Sequence, residues 1–205
     1  MSGAGGDFCS GADLGDPEAH ATHPLVRMRT IGSVALALHR LPKPTIAKVD
    51  GVAVGAGCNL AFGCDLVVAS ERARFSEIFS RRGLSIDFGG SWLLPRRLGL
   101  HKAKELAFFA DLIGAVEAAQ LGLVNRVVPA DDLDDFVAGW AARLAASPPL
   151  ALSLTKALLD DSSSMSMATA IEREAEAQAV CIGSEDGREA LSAFLEKREA
   201  RFSGR

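Results

Sequence analysis

Three short segments gather the residues of this chain that are suited to chemistry. The first is Gly5-Gly-Asp-Phe-Cys-Ser-Gly-Ala-Asp-Leu14 and the second is Gly51-Val-Ala-Val-Gly-Ala-Gly-Cys-Asn-Leu60. Both are runs of small residues that turn into what reads as a helix. Turns of this kind leave backbone N–H groups unpaired and pointing outward. Two of them brought together make an oxyanion hole, which stabilises charge developing on a carbonyl oxygen. The small side chains let a substrate approach the backbone closely. Taken singly, a Gly-Ala-Gly turn more often serves tight packing.

The third segment runs from Arg74 to Arg97 and places one carboxylate, Asp87, among Ile86, Phe88, Gly89 and Gly90. Apolar neighbours desolvate a carboxylate, raise its pKa and make it a better proton acceptor near neutrality. A turn aspartate that caps the Gly-Gly-Ser-Trp segment is the other role open to it.

Other chemistries lack their residues. Neither glycine turn has the GxxxxGK[ST] pattern of a phosphate loop, and Gly55-x-Gly57 lacks the third glycine of a dinucleotide fingerprint. No histidine completes a hydrolytic triad: His20 and His23 lie in a polar stretch, and His39 and His101 near helix ends, where solvated surface roles are expected. Ser10 has no GxSxG context. Cys9, Cys58, Cys64 and Cys181 show no metal-like spacing and read as reduced thiols, with Cys58 and Cys64 as small buried hydrophobes.

The elements that must position these residues follow from periodicity. Residues 16–24 read as a polar loop. Apolar residues at Ile31, Val34, Ala35, Leu38 and Leu41 give helical spacing over Val26–Leu41, stopped by Pro42 and Pro44. Thr45–Gly51 reads as a strand, residues 52–57 as a glycine-rich turn, residues 58–63 as a short apolar helix and residues 66–69 as a buried strand. Strand, turn, helix, strand is the signature of an α/β layered fold. From Leu100 onward the pattern is mainly helical. Leu133, Phe136, Val137, Trp140 and Leu144 share one face, and helices are expected over residues 148–159, 165–182 and 185–199. A core over residues 1–145 followed by a helical region over 146–205 is the resulting organisation.

The chain has 205 residues, 48% hydrophobic and 23% charged, which suits a globular protein with one sizeable core. A net charge of −4 with no basic run argues against nucleic acid as a partner. No apolar stretch approaches the length of a membrane span, and the first residues have neither the basic nor the apolar part of a signal peptide. A cytoplasmic location is expected.

In this order and at this spacing, the three segments resemble the crotonase (enoyl-CoA hydratase/isomerase) superfamily. Phe8-Cys-Ser-Gly-Ala-Asp-Leu14 is similar to the family's first oxyanion segment, and Lys43 to Asp65 to its second. Residues 119–129 and 189–202 extend the likeness to the C-terminus. The resemblance implies an α/β fold with a β-β-α spiral core and a helical C-terminal trimerisation region, hence a homotrimer or a dimer of trimers. It implies an acyl-CoA substrate whose coenzyme A is part of the substrate, with no separate cofactor and no metal. Carried over by position, the thioester oxygen sits between the N–H groups of Ala12 and Ala56. Gly11, Asp13, Leu14, Gly55, Gly57, Asn59, Phe79 and Trp92 are then expected to bind substrate, with Lys197 reaching a CoA phosphate.

There are two departures from the family's pattern. The two catalytic glutamates of the family's hydratases fall on Asn59 and Phe79, which move no proton. Glu77 stands two residues from the second place, and on a helix that spacing faces it the other way. Asp87 remains, which resembles the branch that shifts double bonds in enoyl-CoA and ring-epoxide CoA intermediates through one aspartate. The implied reaction is 3-enoyl-CoA to 2-enoyl-CoA isomerisation. Hydration of 2-enoyl-CoA and a non-catalytic CoA-binding role are the alternatives. The other departure is at the start: members of the family usually begin several dozen residues earlier, and Met1 falls where the strand entering the first turn is expected to end.

Overall fold

The computed structural model describes residues 1–13, 15 and 22–205. Leu14 and most of the loop expected over residues 16–24 lie outside the described residues. Two compact units are present. One comprises Met1–His39 and Thr45–Val137, the other Arg40–Pro44 and Ala138–Arg205.

The first unit is built from strands that come in pairs. β1 (Ile46–Val49) is followed by β2 (Val52–Val54) and then by helix α2 (Ala56–Gly63). β3 (Leu66–Ser70) is followed by β4 (Arg74–Ser76), and later by α3 (Gly90–Leu98) and α4 (Leu100–Phe109). The first strand of each pair joins one sheet, where β1 runs parallel to β3 and β3 parallel to β6 (Arg126–Val128). The second strand joins another sheet, where β2 runs parallel to β4 and β4 antiparallel to β5 (Ile113–Gly114). Each turn of chain therefore adds one strand to both sheets before a helix returns it, which makes a β-β-α spiral. The N-terminal residues follow the same course: Ser2 bridges to Lys48 of β1 and Cys9 to Ala53 of β2. The site's first segment is thereby registered against its second by main-chain hydrogen bonds, Cys9 N–H to Val52 O at 3.1 Å and Val54 N–H to Cys9 O at 3.0 Å.

The interior of this unit is apolar and small. Ala47, Val49, Ala53, Val67 and Ala69 fill the space between sheets and α2, and Phe62 stacks on Phe75 with ring centroids 5.3 Å apart. Parallel strands covered on both faces carry continuous apolar runs, as Leu-Val-Val-Ala of β3 does. Helix α1 (Pro24–His39) and α5 (Ala115–Gln120) complete the unit, together with the first turn of α6 (Leu133–Ala145). Cys58 and Cys64 are buried and free, as expected of small hydrophobes.

The second unit is helical. After the remainder of α6 come α7 (Pro149–Asp161), α8 (Met167–Gly183) and α9 (Glu185–Glu196). Ser166 and Ser184 cap α8 and α9 through their hydroxyls, accepting from Thr169 N–H and Gly187 N–H. Among the described residues no helix is long and apolar enough to cross a membrane.

Two readings of local structure need correction. Val52–Val54, expected within a turn, is a strand, because the β3–β4 pair supplies it with a parallel partner in β4. Glu77, expected on a helix and turned away from the site, is not on a helix. It follows β4 directly and is only 3% exposed.

Candidate active site

Chain geometry at the second segment is set by two glycines. Gly55 ends β2 with φ 57° and ψ −126°, a conformation that side chains resist, and its N–H is held by Ser76 O at 2.9 Å. Helix α2 starts immediately after, so Ala56 stands in its first turn. Gly57 faces the first segment so closely that a Cβ there would lie 2.2 Å from Cys9 O. No other residue fits, and the main chain of residues 9–11 is thereby allowed onto the N-terminus of α2. Gly11, at φ 92°, completes the approach. A Cβ on it would sit 3.1 Å from Val54 O and 3.8 Å from Ala56 N.

The two turns expected to cooperate are therefore side by side. Ala12 is exposed and Ala56 half-buried, and among the described residues neither backbone N–H has a main-chain partner. The positive end of the α2 dipole adds to the attraction for negative charge at this place.

The third segment meets the same helix one turn further along. Asn59 is completely buried. Its Nδ2 donates to the main-chain O of Asp87 at 3.0 Å and to Glu77 Oε2 at 3.2 Å. Asp87 O also accepts from Gly90 N–H at 2.9 Å, so the loop before α3 is folded back and tied to α2. The reversal passes through two left-handed residues, Phe88 at φ 49° and Gly89 at φ 81°. A phenylalanine in that region costs about 1–2 kcal/mol, strain of a kind that clusters where a side chain must be aimed. Gly90 packs on the Asn59 amide, where a Cβ would come within 2.4 Å of Nδ2.

Asp87 is half-buried, and desolvation pushes its carboxyl above the usual aspartate range. Its Oδ1 is buried with no hydrogen-bond partner. A carboxylate oxygen without a donor is a strong proton acceptor. Ile86 packs against the core beside it. Glu77, which the spacing argument dismissed, lies in the same cluster. Burial pushes its carboxyl up to about 7, with hydrogen bonds from Cys58 and Asn59 opposing and the charge of Asp87 adding to the rise. Alternation along the extended chain from Phe75 would have found it, since Glu77 shares the inward side of that core residue.

The remaining expected site residues separate by exposure. Asp13 is at the surface near Ala12, and its carboxylate accepts from Gly15 N–H at 2.9 Å. Trp92 is 38% exposed on α3, with the Arg96 guanidinium 4.0 Å from its ring and His39 edge-on at 5.1 Å. His39 is thus a packing residue as much as a surface one. Asn59, Phe79, Gly55 and Gly57 are buried. Asn59 was expected to touch substrate. Its Nδ2 is engaged inside the protein by Asp87 O and Glu77 Oε2, which ties down the Asp87 loop, while its Oδ1 has no partner. Phe79, 7% exposed, packs near Gly55, where a Cβ would lie 3.7 Å from its Cζ. Lys197 belongs to the second unit, where it ends α9 in a left-handed conformation with φ 55°.

A β-β-α spiral with glycine turns packed at the start of α2, and two donor-poor carboxyls gathered one turn further along, points to the crotonase class. The family model described as enoyl-CoA hydratase/isomerase matches residues 1–205. A Rhodobacter capsulatus protein described as "Probable enoyl-CoA hydratase" is 40% identical over 206 residues, covering 100% of this chain and 80% of its own. The 1,2-epoxyphenylacetyl-CoA isomerase of Escherichia coli is 37% identical over 210 residues, again with 100% of this chain and 80% of its own. The crystal structure of an enoyl-CoA hydratase from a Polaromonas species superposes with a TM-score of 0.92 at 34% identity, over 98% of this chain and 80% of that one. The chain belongs to the enoyl-CoA hydratase/isomerase family and has the crotonase fold.

Proposed function

We propose that this protein isomerises a 3-enoyl-CoA to the 2-enoyl-CoA, with Asp87 as the single proton carrier. The thioester oxygen lies between Ala12 N–H and Ala56 N–H, which makes the C2 proton acidic by stabilising the enolate that forms when it leaves. Asp87 takes that proton, and the electron pair of the broken C–H bond spreads over the dienolate. The same carboxyl then returns the proton at C4, and the double bond is left between C2 and C3. One base suffices, because the two transfers run in opposite directions.

The observation that carries this reading is the buried, unpartnered Oδ1 of Asp87, a residue whose main-chain O is tied by Asn59 to the helix whose first turn holds Ala56. The two glutamate places of the hydratases hold Asn59 and Phe79, which supports a one-carboxylate reaction. Hydration of a 2-enoyl-CoA is the second reading, favoured by the names of several relatives, the Rhodobacter capsulatus protein among them. Purified protein given 3-enoyl-CoA and 2-enoyl-CoA separates them by product. A conjugated enoyl-CoA from the first supports isomerisation, and a 3-hydroxyacyl-CoA from the second as the main activity overturns it.

Assembly into a homotrimer or a dimer of trimers, and contact of Lys197 with a CoA phosphate, belong to the same reading. Large apolar side chains of the helical unit support assembly: Met167 is 80% exposed and Phe194 79%. Light scattering at micromolar concentration tests it, and a monomer contradicts it.

A further inference from the structure

Glu77 is a buried carboxyl that takes no part in the proton transfer set out above. Glu77 is enclosed between α2 and the loop before α3, and the groups that face it are Cys58 and Asn59 of α2 and Asp87 of that loop. None of them is a cation. The Asn59 amide has two hydrogens, and both are engaged, one by Glu77 Oε2 and one by Asp87 O. Three buried oxygens are then left without a donor: Asn59 Oδ1, Glu77 Oε1 and Asp87 Oδ1. Acceptors alone cannot satisfy one another, and a carboxylate in such a place costs far more than a carboxylic acid. One added proton changes the balance, because it turns an acceptor into a donor and removes a charge from the side of Asp87.

We propose that Glu77 is a positioning residue that holds a proton in the resting protein, pairing as a neutral acid with the Asn59 amide and leaving Asp87 as the one charged carboxyl of the cluster. Burial, which pushes the Glu77 carboxyl up to about 7, acts in the same direction. The Asn59 amide that receives this acid also holds the backbone of Asp87, so ionisation of Glu77 loads a second negative charge onto the tie that aims the base. The consequence for turnover rests on the isomerase reading. The protonation itself does not.

Melting temperatures of wild type and Glu77→Gln, compared at about pH 5 and about pH 8.5, test the proton without any substrate. Glutamine keeps the acceptor for Asn59 and cannot ionise. The expected result is a difference that moves in favour of Glu77→Gln as the pH rises. A difference that is the same at both pH values overturns the proposal. With 3-enoyl-CoA, the alkaline fall of kcat is expected to move to higher pH in Glu77→Gln. If the melting temperatures respond as expected and neither protein turns the substrate over, the proton stands and the isomerase reading falls. Should Glu77→Gln not fold, infrared spectra of Asp87→Asn serve instead. A protonated carboxyl band present at the lower pH and gone at the higher supports the proposal, and its absence at both refutes it.

Discussion

Two acidic sites in the first unit show how the same functional group is surrounded by donors in one place and left short of them in another. Asp50, in the turn between β1 and β2, is surrounded by donors. Arg72 Nε and Nη2 reach its two oxygens at 2.8 and 2.6 Å, Ser70 Oγ at 2.6 Å and Gly51 N–H at 3.1 Å. The Arg72 guanidinium beside it holds its carboxyl well below the usual carboxylate range. Glu77 has only the Cys58 thiol and the Asn59 amide for donors, Asp87 Oδ1 has none, and both carboxyls are pushed the opposite way by burial. A carboxylate supplied with four hydrogen bonds has no use for a proton. Two carboxyls short of donors do, and that need is a basis for chemistry.

The largest expected effect comes from removing the reactive member. Asp87→Asn keeps shape and loses basicity, so kcat for 3-enoyl-CoA is expected to fall by about 100- to 10,000-fold while substrate binding survives, as steady-state kinetics and calorimetry will show. An Asp87→Asn protein with undiminished turnover breaks the contrast at its centre. Next is Gly57→Ala, whose methyl must displace the main-chain Cys9 O now 2.2 Å from its place. Overpacking against backbone is expected to cost about 1–3 kcal/mol in denaturant unfolding and to part the two turns as well.

Asp50→Asn sharpens the comparison through pH. Because the folded protein holds Asp50 below its ordinary value, its contribution is present above about pH 4 and lost as the pH falls. Removing it is expected to lower the melting temperature by about 2–4 °C at neutral pH, with the deficit shrinking in acid. The sign for Glu77 is reversed. Its folded value is raised to about 7 from 4.5, so its contribution is present below the ordinary glutamate value and lost as the pH climbs through 7. Opposite slopes in the two variants would establish the contrast in solution. The smallest effect is Phe88→Gly. It relieves the left-handed φ of 49° and is expected to change stability by less than about 1 kcal/mol, while loosening the loop that aims Asp87 and lowering kcat more than it alters the fold.

How far these sites could be read from the chain depended on what each residue's role required. β3 was legible because a strand covered on both faces needs an unbroken apolar run, and Leu66 to Ala69 is one. The glycine turns were legible because close approach excludes side chains and leaves a pattern of small residues. β2 was hidden, because three residues between Gly51 and Gly55 carry no periodicity of their own and are strand only through pairing with β4. Glu77 was misplaced because helical spacing was applied where the chain leaves β4 through a turn. The tie from Asn59 to Asp87 O spans 28 residues, and a hydrogen bond to a main-chain carbonyl places no demand on the identity of its acceptor residue.

The spiral also bears on how the chain finds its fold. In the first sheet, Ile46 pairs with Leu66 whereas Val68 pairs with Arg126, so β6 closes a loop roughly three times as long as the one closed by β1 and β3. The added chain entropy is about 1 kcal/mol, and it must be met before the longer pairing yields any contact. The β1–α2–β3 segment is therefore the natural nucleus. Side chains there, such as Val49 and Val67, should show high φ-values, and Val127 a low one. Since α2 carries Ala56 and Asn59, half of the candidate site would be assembled at the transition state for folding, before the rest of its sheet has closed.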